Sequence, residues 1–183
     1  MSKRQLQAAK NREDLLDAAL NIFRKHGIRA PLQLIIDEAG VGRATFYRNF
    51  KDRRELVIAL MEQALERLAE RADSYSTYPD GLIRLIRNHV NNLPYLTALM
   101  EYWRVIERND QILVDIYHKR DTILQPLIDQ AIAHKVCRPD LTTQDYALIT
   151  GILRASFQGL TDEEQIQLAT RAVELLIEGI KAD

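Results

Sequence analysis

Apolar residues recur at spacings of three and four along almost the whole chain, and no stretch alternates convincingly. The first predicted helix covers 5–26, with Leu15, Ala19, Ile22 and Phe23 on one face. Arg24, Lys25 and His26 suit its negative end, and Gly27 suits a left-handed stop. A second helix is expected from Pro31 to Gly40, with Pro31 in its first turn. Gly40-Val41-Gly42 then makes a tight connection to a third helix, 43–50. Asp52 and Glu55 have the spacing of a capping box, opening a fourth helix to about Ala72. DSYSTYP, 73–79, reads as a polar linker. Further helices are expected at 80–93, 95–108, 110–134, 142–160 and 162–181, the third of these bent at Pro126. Thr142 and Thr161 are candidate N-caps, and Thr161 pairs in spacing with Glu164. The expected fold class is all-α.

The third helix carries the most pointed pattern. At about 100° per residue, Phe46 and Phe50 fall together one turn apart, while Ala44, Arg48 and Lys51 fall opposite. Thr45 and Tyr47 lie on the flanks, and Arg43 stands at the start. Such a helix fits a DNA major groove. The central cation reads guanine, the small alanine permits close approach, and the flanking hydroxyls reach phosphates. Braced by Ile35 and Ala39 of the second helix, it forms a helix-turn-helix. The same wheel also describes a solvated charged helix.

Charge sharpens the choice. Residues 1–54 hold twelve Lys or Arg against six Asp or Glu, and 55–183 hold thirteen against twenty, so a net charge of −1 hides a basic head on an acidic remainder. A polyanion held at one end accounts for that asymmetry, as does an ordinary charged surface. The single cysteine, Cys137, excludes an internal disulfide and a thiolate zinc cluster. The N-terminus lacks the apolar core of a signal peptide, and no apolar run is long enough to span a bilayer. A soluble, cytoplasmic chain is expected. His26, His89, His118 and His134 are dispersed, and Asp115-x-x-His118 is the nearest approach to a metal spacing. With no His-Glu-x-x-His, phosphate loop or nucleophile elbow, neither an enzyme, a metal site nor a cofactor is expected.

APLQLIIDEAGVGRATFYRNFKDRREL, together with FRKHG at the end of the first helix, resembles the DNA-binding signature of the TetR family of transcriptional regulators. The resemblance covers about residues 10–57. It implies an N-terminal helix-turn-helix domain (1–54) and a C-terminal helical domain for effector binding and dimerisation (55–183). It implies that Thr45 and Tyr47 contact phosphates, that Arg53 contacts the DNA backbone, and that Arg43, Ala44 and Arg48 face bases. Asn49 stands where histidine is commonest, at another backbone contact, and Gly42 stands where serine is frequent. Leu34 and Ile36 are more apolar than usual and are expected to pack on the first or fourth helix.

Two-fold binding to a pseudo-palindrome needs a dimer. Ala147, Gly151, Ala155 and Gly159 recur every four residues, and Ile166, Ala169, Val173, Leu176 and Ile180 form a seam in the last helix. Both patterns serve equally as monomer core; the resemblance implies an intersubunit four-helix bundle. It also implies a small-molecule pocket among the middle helices, whose ligand releases DNA. His89, Met100, Trp103, Tyr117 and Arg120 would border it, fitting an apolar ligand with a polar or anionic end; each also reads as ordinary packing or ion pairing. A fourth helix roughly 30 Å long would carry the change to the two heads, held about 34–36 Å apart. Control by a partner protein, and activation in place of repression, stay open.

Overall fold

Caps written into the sequence set the helix boundaries. In the computed structural model, which describes residues 2–90, 110–153 and 161–182, Ser2 opens α1 (Lys3–His26) with a reciprocal box to Gln5. The Ser2 hydroxyl accepts the Gln5 N–H at 3.3 Å, and the Gln5 amide oxygen accepts the Ser2 N–H at 2.7 Å. α1 stops at Gly27, whose φ of 76° lets its N–H return to the Phe23 carbonyl at 2.9 Å. α2 (Leu32–Glu38) follows Pro31, which sits at the N-cap and not inside the first turn. Gly40, at φ 64°, turns the chain so that the Val41 N–H caps the Ile36 carbonyl. α3 (Arg43–Asn49) and α4 (Arg53–Tyr75) come next.

The box at Asp52 is only partly as expected. Its carboxylate accepts the Glu55 N–H at 2.8 Å, but Glu55 reaches back to the Lys51 N–H at 2.5 Å. α4 runs three residues into the expected linker, and a turn at 76–80 leads to α5, helical over 81–90. α6 (Gln111–Ala133) is capped by Asp110 and continues through Pro126. α7 (Thr143–Leu153) and α8 (Asp162–Ile180) follow Thr142 and Thr161, each exchanging hydrogen bonds with an acid three residues on. The expected helix at 95–108, and the ends of those at 80–93 and 142–160, lie outside the described residues. Every named element among the described residues is helical, and none is long and apolar enough to cross a membrane.

Described residues 2–64 form one compact unit; 65–90, 110–153 and 161–182 belong to the other. In the first, α1 packs on α2 and α3, and α2 on α3. Its buried residues include the predicted stripe Leu15, Ala19, Ile22 and Phe23, with Ile35, Ile36, Phe46, Phe50, Leu56, Val57, Leu60 and Met61. Leu34 departs from expectation: it is 38% exposed, because α2 turns only its Ile35–Ile36 edge inward.

In the second unit, Leu68 and Ala72 of α4 join Leu82, Leu85, Ile86, Leu124, Leu127, Ile128, Ile149, Val173 and Ile177 in one core. The C-terminus is stitched to the α6–α7 connection: the Arg138 N–H donates to the Ile180 carbonyl, and the Ala182 N–H to the Val136 carbonyl. Gly81 marks the tightest approach. A Cβ there would fall 2.3 Å from the Tyr75 carbonyl oxygen and 3.1 Å from Leu127 Cδ2. Gly81→Ala should therefore destabilise the protein by about 1–3 kcal/mol, read from the urea midpoint; an unchanged midpoint would mean this turn relaxes freely.

Candidate functional site

α3 has seven residues and buries only one edge. Phe46 and Phe50 are 0% exposed, and each ring contributes about 1.5–3 kcal/mol of burial. Their rings lie 6.0 Å apart. Packing them inward fixes the opposite face outward, where Arg43, Ala44, Tyr47 and Arg48 are exposed, with Lys51 just beyond. Thr45 and Asn49 are half-buried. The structure thus brings together every residue predicted on this helix, and no acid lies among them.

Internal contacts order the polar groups. The Arg48 guanidinium donates to the Thr45 hydroxyl at 2.8 Å, tying a candidate base reader to a candidate phosphate contact. The Asn49 amide donates to the Thr45 carbonyl at 2.8 Å. The Arg43 guanidinium lies 5.8 Å from the centre of the Tyr47 ring. Arg12 of α1 stacks over Phe50 at 4.5 Å and donates to the Asn49 carbonyl at 3.3 Å, holding the C-terminal end of α3.

Arg53 is placed differently from a simple backbone contact. Its guanidinium donates to the carbonyls of Ile28 at 2.6 Å and Ala30 at 2.5 Å, and lies 5.8 Å from the Phe23 ring centre. It clamps the α1–α2 connection to the start of α4. Sequence spacing gives no sign of this, since the acceptors lie 25 and 23 residues upstream.

Residues 15–60 match the family model of bacterial regulatory proteins of the tetR family. Over 137 residues the chain is 25% identical to the HTH-type transcriptional regulator AcrR of Shigella flexneri, covering 74% of this chain and 61% of that one. The N-terminal segment of the chain thus carries the DNA-binding region of the tetR family. Among solved structures, a TetR transcriptional regulator of Streptomyces coelicolor superposes with a TM-score of 0.66 at 25% identity, over 93% of this chain and 98% of its own. SmeT, the repressor of the Stenotrophomonas maltophilia multidrug efflux pump SmeDEF, shares the fold with a TM-score of 0.60 at 18% identity, over 94% and 91% of the two chains. SmeT is also known in complex with triclosan.

In the second unit the predicted pocket residues differ in their surroundings. Tyr117 is partly exposed, with the Arg120 guanidinium 5.2 Å from its ring centre. Arg120 is ion-paired with Asp121 at 2.6 Å. His89 is buried, and its ring meets Tyr146, which sequence reasoning passed over. The available signal was a hydroxyl one turn before Ile149 on an otherwise apolar face of α7. Met100 and Trp103 lie outside the described residues.

The predicted dimer seam also divides. Ala155 and Gly159 lie outside the described residues. Val173 and Ile180, at 1% and 8% exposed, turn into the core of their own subunit, because α8 packs on α7 along that edge. Leu176 and Ala147 are half-buried, while Gly151 and Ile166 are exposed. Leu148, Ile152, Leu168 and Leu175 are further exposed apolar side chains on these two helices.

Two measurements test these placements. Arg53→Ala should cost about 2–3 kcal/mol in urea denaturation, with Arg53→Lys recovering part. Unchanged stability with weakened DNA binding would instead put this guanidinium on a phosphate. Burial, with a smaller effect of the Arg71 charge, lowers the His89 pKa from 6.5 to about 4. The unfolded chain therefore takes up this proton first as pH falls, so stability present above about 6.5 is lost toward about 4. His89→Leu should flatten that pH dependence, and an identical slope in the variant would refute the assignment.

Proposed function

We propose that this chain is a transcriptional regulator of the TetR family and a dimeric repressor. It binds a pseudo-palindromic double-stranded DNA through α3 and is released by a small molecule held in the second unit. The observation that carries the DNA reading is the two-sided α3: two rings fully buried, with Arg43, Ala44, Tyr47 and Arg48 left facing outward. A merely solvated helix has no need of an alanine between its cations or of an exposed tyrosine beside them. On this reading Arg43 and Arg48 face base edges, Ala44 permits approach, and Tyr47, Thr45, Asn49 and Lys51 hold the backbone.

Dimerisation is supported by the apolar residues exposed on α7 and α8, namely Leu148, Ile152, Ile166, Leu168 and Leu175. Side chains of this size repeated on two helices form a surface that a second copy would cover. Release by a ligand is supported by SmeT, alike in fold, which is a repressor and binds triclosan. α4 contributes Leu56, Val57, Leu60 and Met61 to one unit and Leu68 and Ala72 to the other, so it is the helix through which the two would communicate. The ligand must prefer one of two arrangements of that helix, since equal affinity shifts nothing.

Selection of binding sites from random duplex DNA tests the proposal. The expected product is an inverted repeat, bound by one or two dimers. Binding that falls with salt but selects no sequence would overturn it. On the selected site, Arg48→Ala should relax preference at particular base pairs by about 1–3 kcal/mol. Tyr47→Phe should weaken all sequences alike.

A further inference from the structure

The core of the second unit holds two polar side-chain atoms without a hydrogen-bond partner, His89 Nε2 and Tyr146 Oη. Both residues are 4% exposed, and their rings lie 5.2 Å apart with planes at 57°. They neighbour each other without bonding to each other. Native cores leave few such groups, because a buried donor or acceptor that gives up water and gains nothing destabilises the fold. Phenylalanine at 146 and leucine at 89 would fill similar space without that cost. Where a sequence carries polar groups against its own packing, function is the usual reason.

Their surroundings define what they suit. His89 continues the buried stripe of Leu85 and Ile86 on α5, and Tyr146 begins the stripe of Ile149 and Leu153 on α7. Leu68 and Ala72 of α4 belong to the same core. The result is a polar end in apolar surroundings, the usual make-up of a small-molecule site. Burial keeps the imidazole neutral and the phenol protonated. The charges of Arg71 and Arg120 reach this pair without a hydrogen bond to either orphaned atom, and Arg120 is paired with Asp121. A neutral imidazole nitrogen and a phenolic hydroxyl are together satisfied by one group that both donates and accepts. A hydroxyl is the simplest such group.

We propose that His89 and Tyr146 together bind the hydroxyl of an uncharged, otherwise apolar ligand, whose body lies among the α4, α5 and α7 side chains. This rests on the reading of the second unit as effector-binding. It adds Tyr146 to the residues expected from the sequence and narrows the polar or anionic end expected there to a neutral hydroxyl.

The test uses the full chain and three probes matched in shape: 4-ethylphenol, ethylbenzene and 4-ethylbenzoate. Wild type should bind 4-ethylphenol at least about tenfold more tightly than either of the others. Tyr146→Phe and His89→Leu should each reduce that preference to near unity while leaving ethylbenzene affinity unchanged. Tyr146→Phe should also raise the Tm of the unliganded protein, by removing a hydroxyl that has no partner. Equal binding of the phenol and the hydrocarbon overturns the proposal, as does tighter binding of the benzoate or no binding by any probe. A lowered Tm for Tyr146→Phe does so too, since the hydroxyl would then be satisfied within the fold. Selection of duplex DNA by the same preparations separates this proposal from the regulator reading. A chain that prefers the phenol but selects no DNA sequence keeps this site and loses the regulator; one that selects DNA without that preference does the reverse.

Discussion

Seven residues of helix do not hold themselves together in water, because the cost of nucleation exceeds what so few hydrogen bonds return. α3 exists because Phe46 and Phe50 are buried, and everything outward on it follows from where those rings go. Once they are fixed, a residue two positions away on the helix is turned far from the core. Arg48, midway between the phenylalanines, has nowhere to point but outward. Arg12 then closes one end of the arrangement by covering Phe50 and taking the Asn49 carbonyl. Arg53 closes another by gathering the carbonyls of Ile28 and Ala30. Two cations of the basic head thus serve as internal ties, and net charge overstates how much of it is offered to a partner.

The second unit obeys the opposite logic. Among the described residues its core is mostly aliphatic, with a tight seam where Gly81 meets the Tyr75 carbonyl. Within it stand a histidine and a tyrosine with unmet hydrogen-bonding capacity. The head spends its polar groups on ordering itself, whereas this core keeps two in reserve.

Much of this was legible in the chain. Helix ends follow from Ser, Asp, Thr and Gly at defined places, and the Thr161–Glu164 box forms as its spacing predicts. The stripe of α1 and the two phenylalanines of α3 needed only the helical period. What escaped shares one cause: period says which residues lie on a common face, but not what that face meets. Val173 and Ile180 lie on a genuine seam that closes on the subunit's own core. Leu34 reads as core and stands at the surface. The ties made by Arg53 depend on backbone carbonyls, which no side-chain pattern reveals. Tyr146 was passed over because an aromatic on an apolar helix face usually signifies packing alone.

The lone cysteine, Cys137, sits where the α6–α7 connection bridges to Lys181, and burial pushes its thiol up from the ordinary range. Such a sulfur is a poor nucleophile. A cysteine introduced on an exposed helix position would therefore be the single readily labelled thiol in the subunit. Native Cys137 would not need to be removed first. The protein is in effect already prepared for a spin or fluorescent probe at one chosen point, so the surroundings of that point become a directly observable quantity.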